Sequence, residues 1–364
     1  MNPITKDNIL EALSHVIDPD FKKDLVALNM IEDVEITEGK VKFRLVLTTP
    51  ACPLKDYLKQ SCVNAIHEHV NKDLDIEIDV TSRVTTRRKE SDDLLKNVKN
   101  IIAVGSGKGG VGKSTVAVNL AIALAKTGAA VGLLDADIYG PSIPLMLGLV
   151  NEKAKGYDKD GKTYVYPFEK FGIKMISIGF FVDQSKALVW RGPMASTALK
   201  QLFTDIEWGA LDYMVIDLPP GTGDIPLTLV QSFPLTGAIV VSTPQEVAIA
   251  DVRKAADMFR NDQIRIPILG LVENMAYFVP PDMPYKKYFI FGNSGCQKFA
   301  DELHIPILGQ IPIEPSIADS GDAGKPVTAG DDSPTSQAFT RLAESVAQQV
   351  AVTNAIKEGL GIRD

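Results

Sequence analysis

The stretch "GSGKGGVGKS", residues 105–114, is the part of the sequence that decides the fold. From Gly107 to Ser114 it fits the pattern G-x-x-x-x-G-K-[ST], with a strand-like run before it and a helical pattern after it. Glycines let such a loop turn tightly and present backbone N–H groups to phosphate oxygens, and the helix N-terminus adds partial positive charge. The stretch therefore predicts a phosphate-binding loop, and the alternative is a glycine turn that only caps a helix.

The loop residues have separate expected roles. Lys113 is placed to reach the β and γ phosphates of ATP, and the Ser114 hydroxyl to bind Mg²⁺. Lys108 is a second lysine in the same loop, and taken alone it is either a solvated charge or a functional one. The sequence predicts a nucleotide-binding set of Gly107, Gly109, Gly110, Val111, Gly112, Lys113, Ser114 and Thr115.

Short, nearly continuous apolar runs surround the loop and are separated by helix-like stretches. Strands that are buried on both faces have this composition, so the pattern predicts an α/β fold with a mostly parallel sheet covered by helices. The runs are "IIAVGS", "AAVGLLDAD", "KMISIG", "DYMVIDLP", "GAIVVST" and "ILGLVEN".

Polar residues follow three of these runs. Asp135 and Asp137 lie in "GLLDADIYGPS", and Asp217 ends the run in "DYMVIDLPPGTGD". Carboxylates at the carboxyl ends of parallel strands can hold Mg²⁺ and orient an attacking water, whereas an aspartate that caps the following turn is the structural alternative. Asn274 follows "GLVE" and is expected to hydrogen-bond an adenine edge, unless it is simply a turn asparagine. Beyond Asp217, "LPPGTGD" is expected to be a switch loop that senses the γ-phosphate.

The N-terminal part of the chain has a different pattern. It predicts a helix over about residues 6–17, a hairpin around Glu38 and Gly39, a second helix over about 54–70 and a third alternating strand. We therefore expect a small α+β domain over residues 1–85, a charged linker over 86–98 and the nucleotide-binding domain over 99–364.

The composition limits the function classes. The chain has 364 residues, 45% hydrophobic and 23% charged, with a net charge of −8. This acidic balance disfavours nucleic-acid or anionic-membrane binding. No signal-peptide pattern and no run of about 20 apolar residues occurs, so we expect a cytoplasmic protein. The three cysteines are too few for a disulfide framework and are expected to be reduced.

The loop pattern G-K-G-G-x-G-K-[ST] resembles the deviant Walker A motif of the ParA/MinD/nitrogenase-reductase class of P-loop ATPases. The resemblance implies a homodimer in which Lys108 reaches the nucleotide of the other subunit. It also implies that Asp137 orients the attacking water, that Asp135 lies nearer the Mg²⁺ and that Asp217 is the Walker B residue. "QIPIEPSI", residues 310–317, resembles the loop that flanks the base in this class.

A closer resemblance covers residues 95–345. Together with the motifs above, "WRGPM" (Trp190 to Met194), "VENMAYF", "IFG" and "GDAGKPV" are similar to the Mrp/ApbC subfamily of iron–sulfur cluster carriers. In the N-terminal domain, "DPDFKKDLVALNMI" and "LTTPACP" resemble the PaaD/SufT-like domain of iron–sulfur assembly. The resemblance implies a P-loop ATPase that delivers iron–sulfur clusters to apoproteins.

The sequence departs from this family in its cysteines. Many members carry a C-x-x-C pair after the "ENM-Y-F" strand, which in a dimer supplies four thiolates to a [4Fe–4S] cluster. Residues 273–292 contain no cysteine here. The remaining candidates are Cys52, which precedes a helix and occupies the family's cysteine position in the N-terminal domain, and Cys296, otherwise a buried small side chain. Cys62 falls inside a helix and is expected in the core.

The sequence therefore supports a cytoplasmic, homodimeric Mg²⁺-ATPase, hydrolysing slowly as a switch, that carries clusters to apoproteins or works with other assembly factors. Its alternative is an adaptor that binds no metal and docks partners under the control of ATP. A MinD- or ParA-like positioning ATPase is a third reading. The acidic balance and the short, mixed-charge ending "NAIKEGLGIRD" disfavour it, because it would need a basic DNA-binding surface or a basic amphipathic helix.

Overall fold

The computed structural model describes residues 4–86, 88, 95–181, 201 and 204–357. The chain divides into two compact units, Met1–Arg87 with Ala351–Asp364 and Arg88–Val350. The predicted motif at Trp190 to Met194 lies outside the described residues, as does most of the predicted linker.

The first unit is built on a three-stranded sheet with two helices. Strands β3 and β4 form the predicted antiparallel hairpin, and β5 pairs in parallel with β4. Its first helix is shorter than the predicted span, because it ends at Leu13 with Ser14 as its C-cap. The elements of this unit are α1 Lys6–Leu13, β1 Ile17–Asp18, β2 Lys23–Asp24, β3 Ile31–Thr37, β4 Lys40–Leu47, α2 Lys55–His69 and β5 Asp75–Ser82.

The alternation along β4 explains how this sheet packs. Val41, Phe43 and Leu45 are buried in one core with residues of both helices. Lys40, Lys42 and Arg44 alternate with them and form ion pairs with acidic residues of the neighbouring strands. Because successive side chains of a strand point to opposite faces, one face of the sheet meets the helices and the other meets water.

The second unit contains an eight-stranded sheet in the order β10-β11-β7-β12-β6-β13-β14-β15. Only the edge strand β10 is antiparallel to its neighbour, and the other pairs are parallel. The expected α/β fold with a mostly parallel sheet is therefore confirmed. The strands are β6 Val98–Ser106, β7 Val131–Asp135, β10 Phe168–Lys170, β11 Ile173–Ser177, β12 Leu211–Asp217, β13 Gly237–Ser242, β14 Ile268–Glu273 and β15 Ile307–Gln310, and a separate hairpin is formed by β8 Gly156–Lys159 and β9 Lys162–Val165.

Helices connect these strands. The helix that follows the glycine loop packs against β6, β7 and β12 and buries most of its length. That packing explains its composition, because a helix surrounded by other elements is apolar on most of its faces. The described helices are α3 Lys113–Lys126, α4 Ile143–Met146, α5 Asp224–Ser232, α6 Glu246–Arg260, α7 Gly295–Leu303, α8 Pro315–Asp322 and α9 Pro334–Lys357.

The last helix, α9, contributes residues up to Val350 to the second unit and later residues to the first. In the first unit, Ala351 and Ala355 pack against Phe21. The Asn354 amide donates to the Thr85 carbonyl at 3.1 Å. The sequence pattern placed these residues with the second domain, since an uninterrupted helix gives no sign of where its packing partners change.

In the described ranges, no helix combines the length and hydropathy needed to cross a bilayer.

Candidate functional site

The glycine loop connects the end of β6 to the start of α3, and its backbone requires glycine at particular positions. Gly110 and Gly112 have φ of 81° and 80°, in the left-handed region. A Cβ on Gly112 would stand 2.1 Å from Asn274 Nδ2, and one on Gly107 would stand 2.1 Å from the backbone carbon of Asp251. The loop is therefore held closely by two neighbouring segments, and its path depends on the absence of side chains.

Lys113 lies at the centre of a buried polar cluster. Its side chain is only 6% exposed, and its ammonium donates to Asp217 Oδ1 at 2.7 Å. Asp137 Oδ2 lies 3.5 Å from the same nitrogen, and the Ser114 hydroxyl at 3.2 Å. Ser114 in turn donates to Asp217 Oδ2 at 2.5 Å. The structure thus brings together four residues that the sequence singled out from three separate segments.

Asp135 ends β7 directly beside Asp217, its partner in the strand register. Its carboxylate accepts from the Asp137 backbone N–H at 3.2 Å and from the Ser177 hydroxyl at 2.8 Å. Burial, reinforced by the neighbouring Asp217 carboxylate, raises the pKa of Asp135 to about 8. Burial also raises the pKa of Asp217, although Lys113 opposes that shift.

Ser177 is a site residue that the sequence analysis missed. It ends β11, in register with Asp135, and its hydroxyl also accepts from the Gly179 backbone N–H at 2.9 Å. Its only signal in the sequence is a polar residue at the end of an apolar run, and that signal gains meaning once β11 is known to neighbour β7.

Asp137 uses its two oxygens differently. Oδ1 accepts from the backbone N–H groups of Tyr139 and Gly140 at 3.2 and 3.3 Å, whereas Oδ2 faces Lys113. The turn-capping role and the charged role considered from the sequence are therefore both present in one side chain. The turn holds the carboxylate in a fixed orientation toward the cluster.

Lys108 is placed differently from Lys113. It is half-buried, and its backbone carbonyl accepts from the Ser106 hydroxyl at 3.0 Å. No residue in the described part of the chain hydrogen-bonds or forms an ion pair with its ammonium. Within one chain, Lys108 therefore stays outside the polar cluster.

The expected switch loop lies directly beside the glycine loop. The Gly221 backbone N–H donates to the Ser106 carbonyl at 2.9 Å, and Gly221 itself has a φ of 86°. Gly223 is the N-cap of α5. Both glycines of "LPPGTGD" therefore lie where the chain leaves the strand that ends at Asp217 and turns past the glycine loop.

A cavity of about 740 Å³ adjoins the helix end of the loop. Gly112, Thr115 and Asn274 line it on one side, and Pro312 to Pro315 line it on another. The Asn274 amide nitrogen donates to the Val111 carbonyl at 2.8 Å, so this side chain also fastens the loop. The cavity is mostly apolar with a few polar groups, which suits a planar base next to a phosphate site. Residues 312–315 and 317, part of the segment that resembles the base-flanking loop, line this cavity.

The donor set of the cluster fits Mg²⁺ and a triphosphate. Magnesium prefers oxygen ligands and is commonly held by one or two protein groups together with phosphate oxygens. The Ser114 hydroxyl and the Asp217 carboxylate are such groups, already in contact with each other. The glycine loop presents backbone N–H groups beside a buried lysine, which is the chemistry that phosphate requires.

The three cysteines differ in how deeply they are buried. Cys62 and Cys296 are fully buried, and Cys52 is half-buried near the start of α2. Burial raises the pKa of the Cys62 thiol to about 12. Burial, with the adjacent Glu273 carboxylate, also raises the pKa of Cys296. A thiol that resists deprotonation is a poor metal ligand, so Cys52 is the better-placed candidate. Among the described residues, no cysteine belongs to a group of three or more His, Cys, Asp or Glu side chains that could hold a metal ion.

The segment that lacks the family's cysteine pair folds back on itself. Phe278 and Tyr288 exchange two backbone hydrogen bonds of 2.8 Å, and the Ile313 backbone N–H donates to the Tyr277 carbonyl at 2.7 Å. The segment is thereby fixed against the loop that lines the cavity.

Two family models match different parts of the chain. One, described as NUBPL iron-transfer P-loop NTPase, matches residues 97–347. The other, described as iron–sulfur cluster assembly protein, matches residues 6–80. The two matches coincide with the nucleotide site and with the small N-terminal sheet, respectively.

Individual proteins are similar along most of the chain. The iron–sulfur cluster carrier protein of Synechocystis sp. is 46% identical over 351 residues, which are 96% of this chain and 99% of that protein. The protein of the same name from Deinococcus radiodurans is 44% identical over 348 residues, 95% of this chain and 96% of its own. A nucleotide-binding protein from Archaeoglobus fulgidus, solved in complex with ADP, is 39% identical with a TM-score of 0.56 and covers 66% of this chain and 93% of its own.

Proposed function

The chain belongs to the family of NUBPL iron-transfer P-loop NTPases, and from that membership we propose that it is an ATP-hydrolysing iron–sulfur cluster carrier or assembly factor that delivers clusters to apoproteins. Membership confirms the resemblance inferred from the motifs. The single observation that carries the proposal is the convergence of Lys113, Ser114, Asp137 and Asp217 beside the glycine loop, in a chain that also matches an iron–sulfur assembly model at its N-terminus.

The proposed nucleotide chemistry follows from the buried polar cluster around Lys113. Lys113 and the loop N–H groups would bind the phosphates. Ser114 and Asp217, with Asp135 beside Asp217, would hold Mg²⁺. Bound Mg²⁺ supplies charge neutralisation for phosphoryl transfer. Asp137, oriented by its turn, positions the attacking water, and Asn274 and Thr115 lie beside the base. Phosphoryl transfer asks the protein mainly for positioning and charge stabilisation, and these residues provide both.

Lys108 gives this ATPase its proposed switch. The Lys108 ammonium takes no part in the polar cluster around Lys113 of its own chain. We therefore propose that it contacts the nucleotide bound to the second subunit of a homodimer. A charge that contacts phosphate only in the closed dimer couples nucleotide state to association. Hydrolysis is then slow and serves to open and close the dimer.

Cys52 is the proposed thiol for the cargo. It is the cysteine that is not fully buried, and α2 begins three residues after it. Two subunits supply two such thiolates, fewer than the four that usually hold a [4Fe–4S] cluster. We therefore propose that the cluster is held transiently, with ligands completed by the donor or acceptor protein. None of the three cysteines forms a disulfide, which suits the reducing cytoplasm.

A second candidate function is an ATP-switched adaptor in iron–sulfur assembly that binds no metal. The observation that favours it is the burial of Cys62 and Cys296 together with the missing C-x-x-C. The adaptor would dock assembly factors or apoproteins in one nucleotide state and release them in the other.

Anaerobic reconstitution separates the two functions. Wild-type protein, Cys52→Ser and the buried-cysteine control Cys296→Ser are incubated with iron and sulfide, desalted and analysed for both. Carriage predicts iron and sulfide on the wild type and on Cys296→Ser, and a loss on Cys52→Ser. Iron at background on all three proteins, with ATP hydrolysis intact, would instead establish the adaptor.

A further inference from the structure

Residues 281–290, here called the aromatic loop, form an exposed patch that the proposed ATPase chemistry does not use. Every residue of the aromatic loop is exposed. Tyr285 is 85% exposed and Ile290 59%, and Met283, Tyr288 and Phe289 are also exposed. Large apolar side chains grouped in this way on a protein surface commonly mark a binding site, whereas isolated ones do not.

The backbone of the aromatic loop is held in place. Its base is closed by the paired hydrogen bonds between Phe278 and Tyr288. Within it, the Met283 backbone N–H donates to the Pro280 carbonyl and the Lys286 N–H to the Met283 carbonyl, both at 3.0 Å. The exposed side chains are thus presented on an ordered backbone. A preorganised surface binds more tightly, because less conformational entropy is lost on association.

Lys286 and Lys287, set against the single carboxylate of Asp282, give the aromatic loop a net positive charge in an acidic chain. Lys286 Nζ lies 4.9 Å from the centre of the Tyr288 ring, and Lys287 Nζ lies 4.0 Å from that of Tyr277. Throughout the described ranges, neither ammonium lies within ion-pair distance of a carboxylate. Both charges therefore remain available to an external carboxylate, while the rings hold them close to the apolar side chains.

We propose that the aromatic loop is a docking site for a partner protein, and that it recognises an acidic segment carrying aliphatic or aromatic side chains. The apolar side chains of that segment pack on Tyr285 and Phe289, and its carboxylates pair with Lys286 and Lys287. Tyrosines of this kind often dominate binding energy at interfaces, and complementary charge sets specificity and association rate.

Charge favours an acidic partner segment over two alternatives, a second copy of this chain and an anionic membrane. A second copy docked on the same loop by two-fold symmetry would bring together two loops that each carry a net positive charge. An anionic membrane would face the net charge of −8 carried by the whole chain, whereas a short segment meets only the local charge of the aromatic loop. An acidic, apolar segment satisfies both the charges and the apolar surface.

The aromatic loop also borders the nucleotide cavity. Ile290 belongs to both, and Phe278 and Phe291 line the cavity next to it. A nucleotide that contacts these side chains changes the free energy of docking, and docking changes nucleotide affinity by the same factor. This linkage rests on the proposed nucleotide function, whereas docking itself requires neither ATP nor iron.

The test is fluorescence anisotropy with the full-length protein and a labelled synthetic peptide that alternates Glu with Leu and Phe. A peptide with Lys in place of Glu is the control ligand. We expect binding of the acidic peptide that weakens with added salt. Lys286→Glu/Lys287→Glu, and separately Tyr285→Ser/Phe289→Ser, should weaken it by about tenfold or more. The matched exposed controls, Lys159→Glu and Tyr57→Ser, should bind like wild type.

Several results would overturn the proposal. These are equal binding of the two peptides, loop variants that bind like wild type, loop-dependent binding to phosphatidylserine vesicles in place of the peptide, or loop variants that lose only self-association in sedimentation. ATP binding and thermal unfolding of each variant serve as the folding check. Failure of peptide binding while ATP binding and iron carriage persist removes the docking site and leaves the proposed function intact.

Discussion

The two lysines of the glycine loop differ in their surroundings. Lys113 is buried against two carboxylates, where it balances charge that would otherwise be unpaired in the interior. Lys108 lies five residues before Lys113 and outside the polar cluster. It has no charged partner among the residues that the structure describes. These surroundings are the reason for the proposal that Lys113 binds phosphate and that Lys108 makes its contact outside its own chain.

The variant Lys108→Ala tests this division. We expect it to bind ATP with an affinity within about twofold of wild type, because Lys113 and the loop backbone remain. It should lose ATP hydrolysis and ATP-dependent dimerisation, measured by phosphate release and analytical ultracentrifugation. Lys113→Ala should lose binding itself, by about a hundredfold. Lys153→Ala, an exposed lysine elsewhere, is the control, and unchanged turnover in Lys108→Ala contradicts the role across the dimer.

At this scale, sequence reasoning found the residues that lie in recognisable motifs. Asp137, Asp217 and Lys113 follow apolar strands, and parallel strands bring such ends to one edge of the sheet. Ser177 was missed because one serine in "KMISIG" forms no motif. Its contact with Asp135 arises from strand order, which the local pattern does not specify.

Among the elements, the glycine loop owes its shape to close packing against its neighbours. The φ of Gly112 is 80°, and a Cβ on it would stand 2.1 Å from Asn274 Nδ2. A Cβ on Gly109 would meet nothing within 4 Å. A Cβ at Gly112 must therefore displace a side chain that itself fastens the loop.

Replacing each of these glycines by alanine gives a matched pair. Gly112→Ala should destabilise the protein by about 2 kcal/mol, from the left-handed backbone and the overlap with Asn274, and should weaken ATP binding. Gly109→Ala should unfold at nearly the wild-type temperature. Differential scanning calorimetry measures both, and equal unfolding temperatures for the two variants contradict the close packing described for Gly112.

On the water-facing side of the N-terminal sheet, Glu77 forms ion pairs whose contribution to stability depends on pH. Glu77 lies 2.6 Å from both Lys40 and Lys42, and their hydrogen bonds lower its pKa from 4.5 to about 2. A depressed folded-state pKa contributes stability above the unfolded-state pKa of 4.5 and loses it as the pH falls toward 2. Solvent and salt screen the pair, so the effect is small.

Comparison of wild type with Glu77→Gln tests the contribution of these ion pairs. The difference in their urea midpoints should be present above pH 4.5, shrink as the pH falls and vanish near pH 2. In a Lys40→Met/Lys42→Met background the same comparison should show little difference at any pH. A difference that grows on acidification has the wrong sign for this account.

For the elements, the apolar runs predicted the strands well because buried parallel strands must be apolar along their length. The cavity was harder to foresee. Its walls come from α3, α4, α8 and the segment after β14, and only the three-dimensional arrangement brings these together. The aromatic loop was likewise unassigned by local pattern, since its interest lies in the exposure of residues that are usually buried.

At the scale of the whole molecule, the candidate nucleotide site lies in one unit and the half-buried Cys52 in the other. Both units match family models that the motifs had indicated, so the fold class and the family were within reach of the sequence. The contribution of residues 351–357 to the first unit was not, because a helix shows its pattern but not its partners. We propose that ATP and Cys52 act in one process, the delivery of an iron–sulfur cluster.

The most direct test of that claim is anaerobic cluster transfer to an apo-ferredoxin, followed by the circular dichroism of the acceptor. Wild-type protein loaded with iron and sulfide should transfer a cluster, and ATP should change the rate severalfold. Lys108→Ala should transfer without responding to ATP, and Cys52→Ser should load and transfer little. Transfer by Cys52→Ser at the wild-type rate, or a wild-type rate that ATP leaves unchanged, would contradict the account.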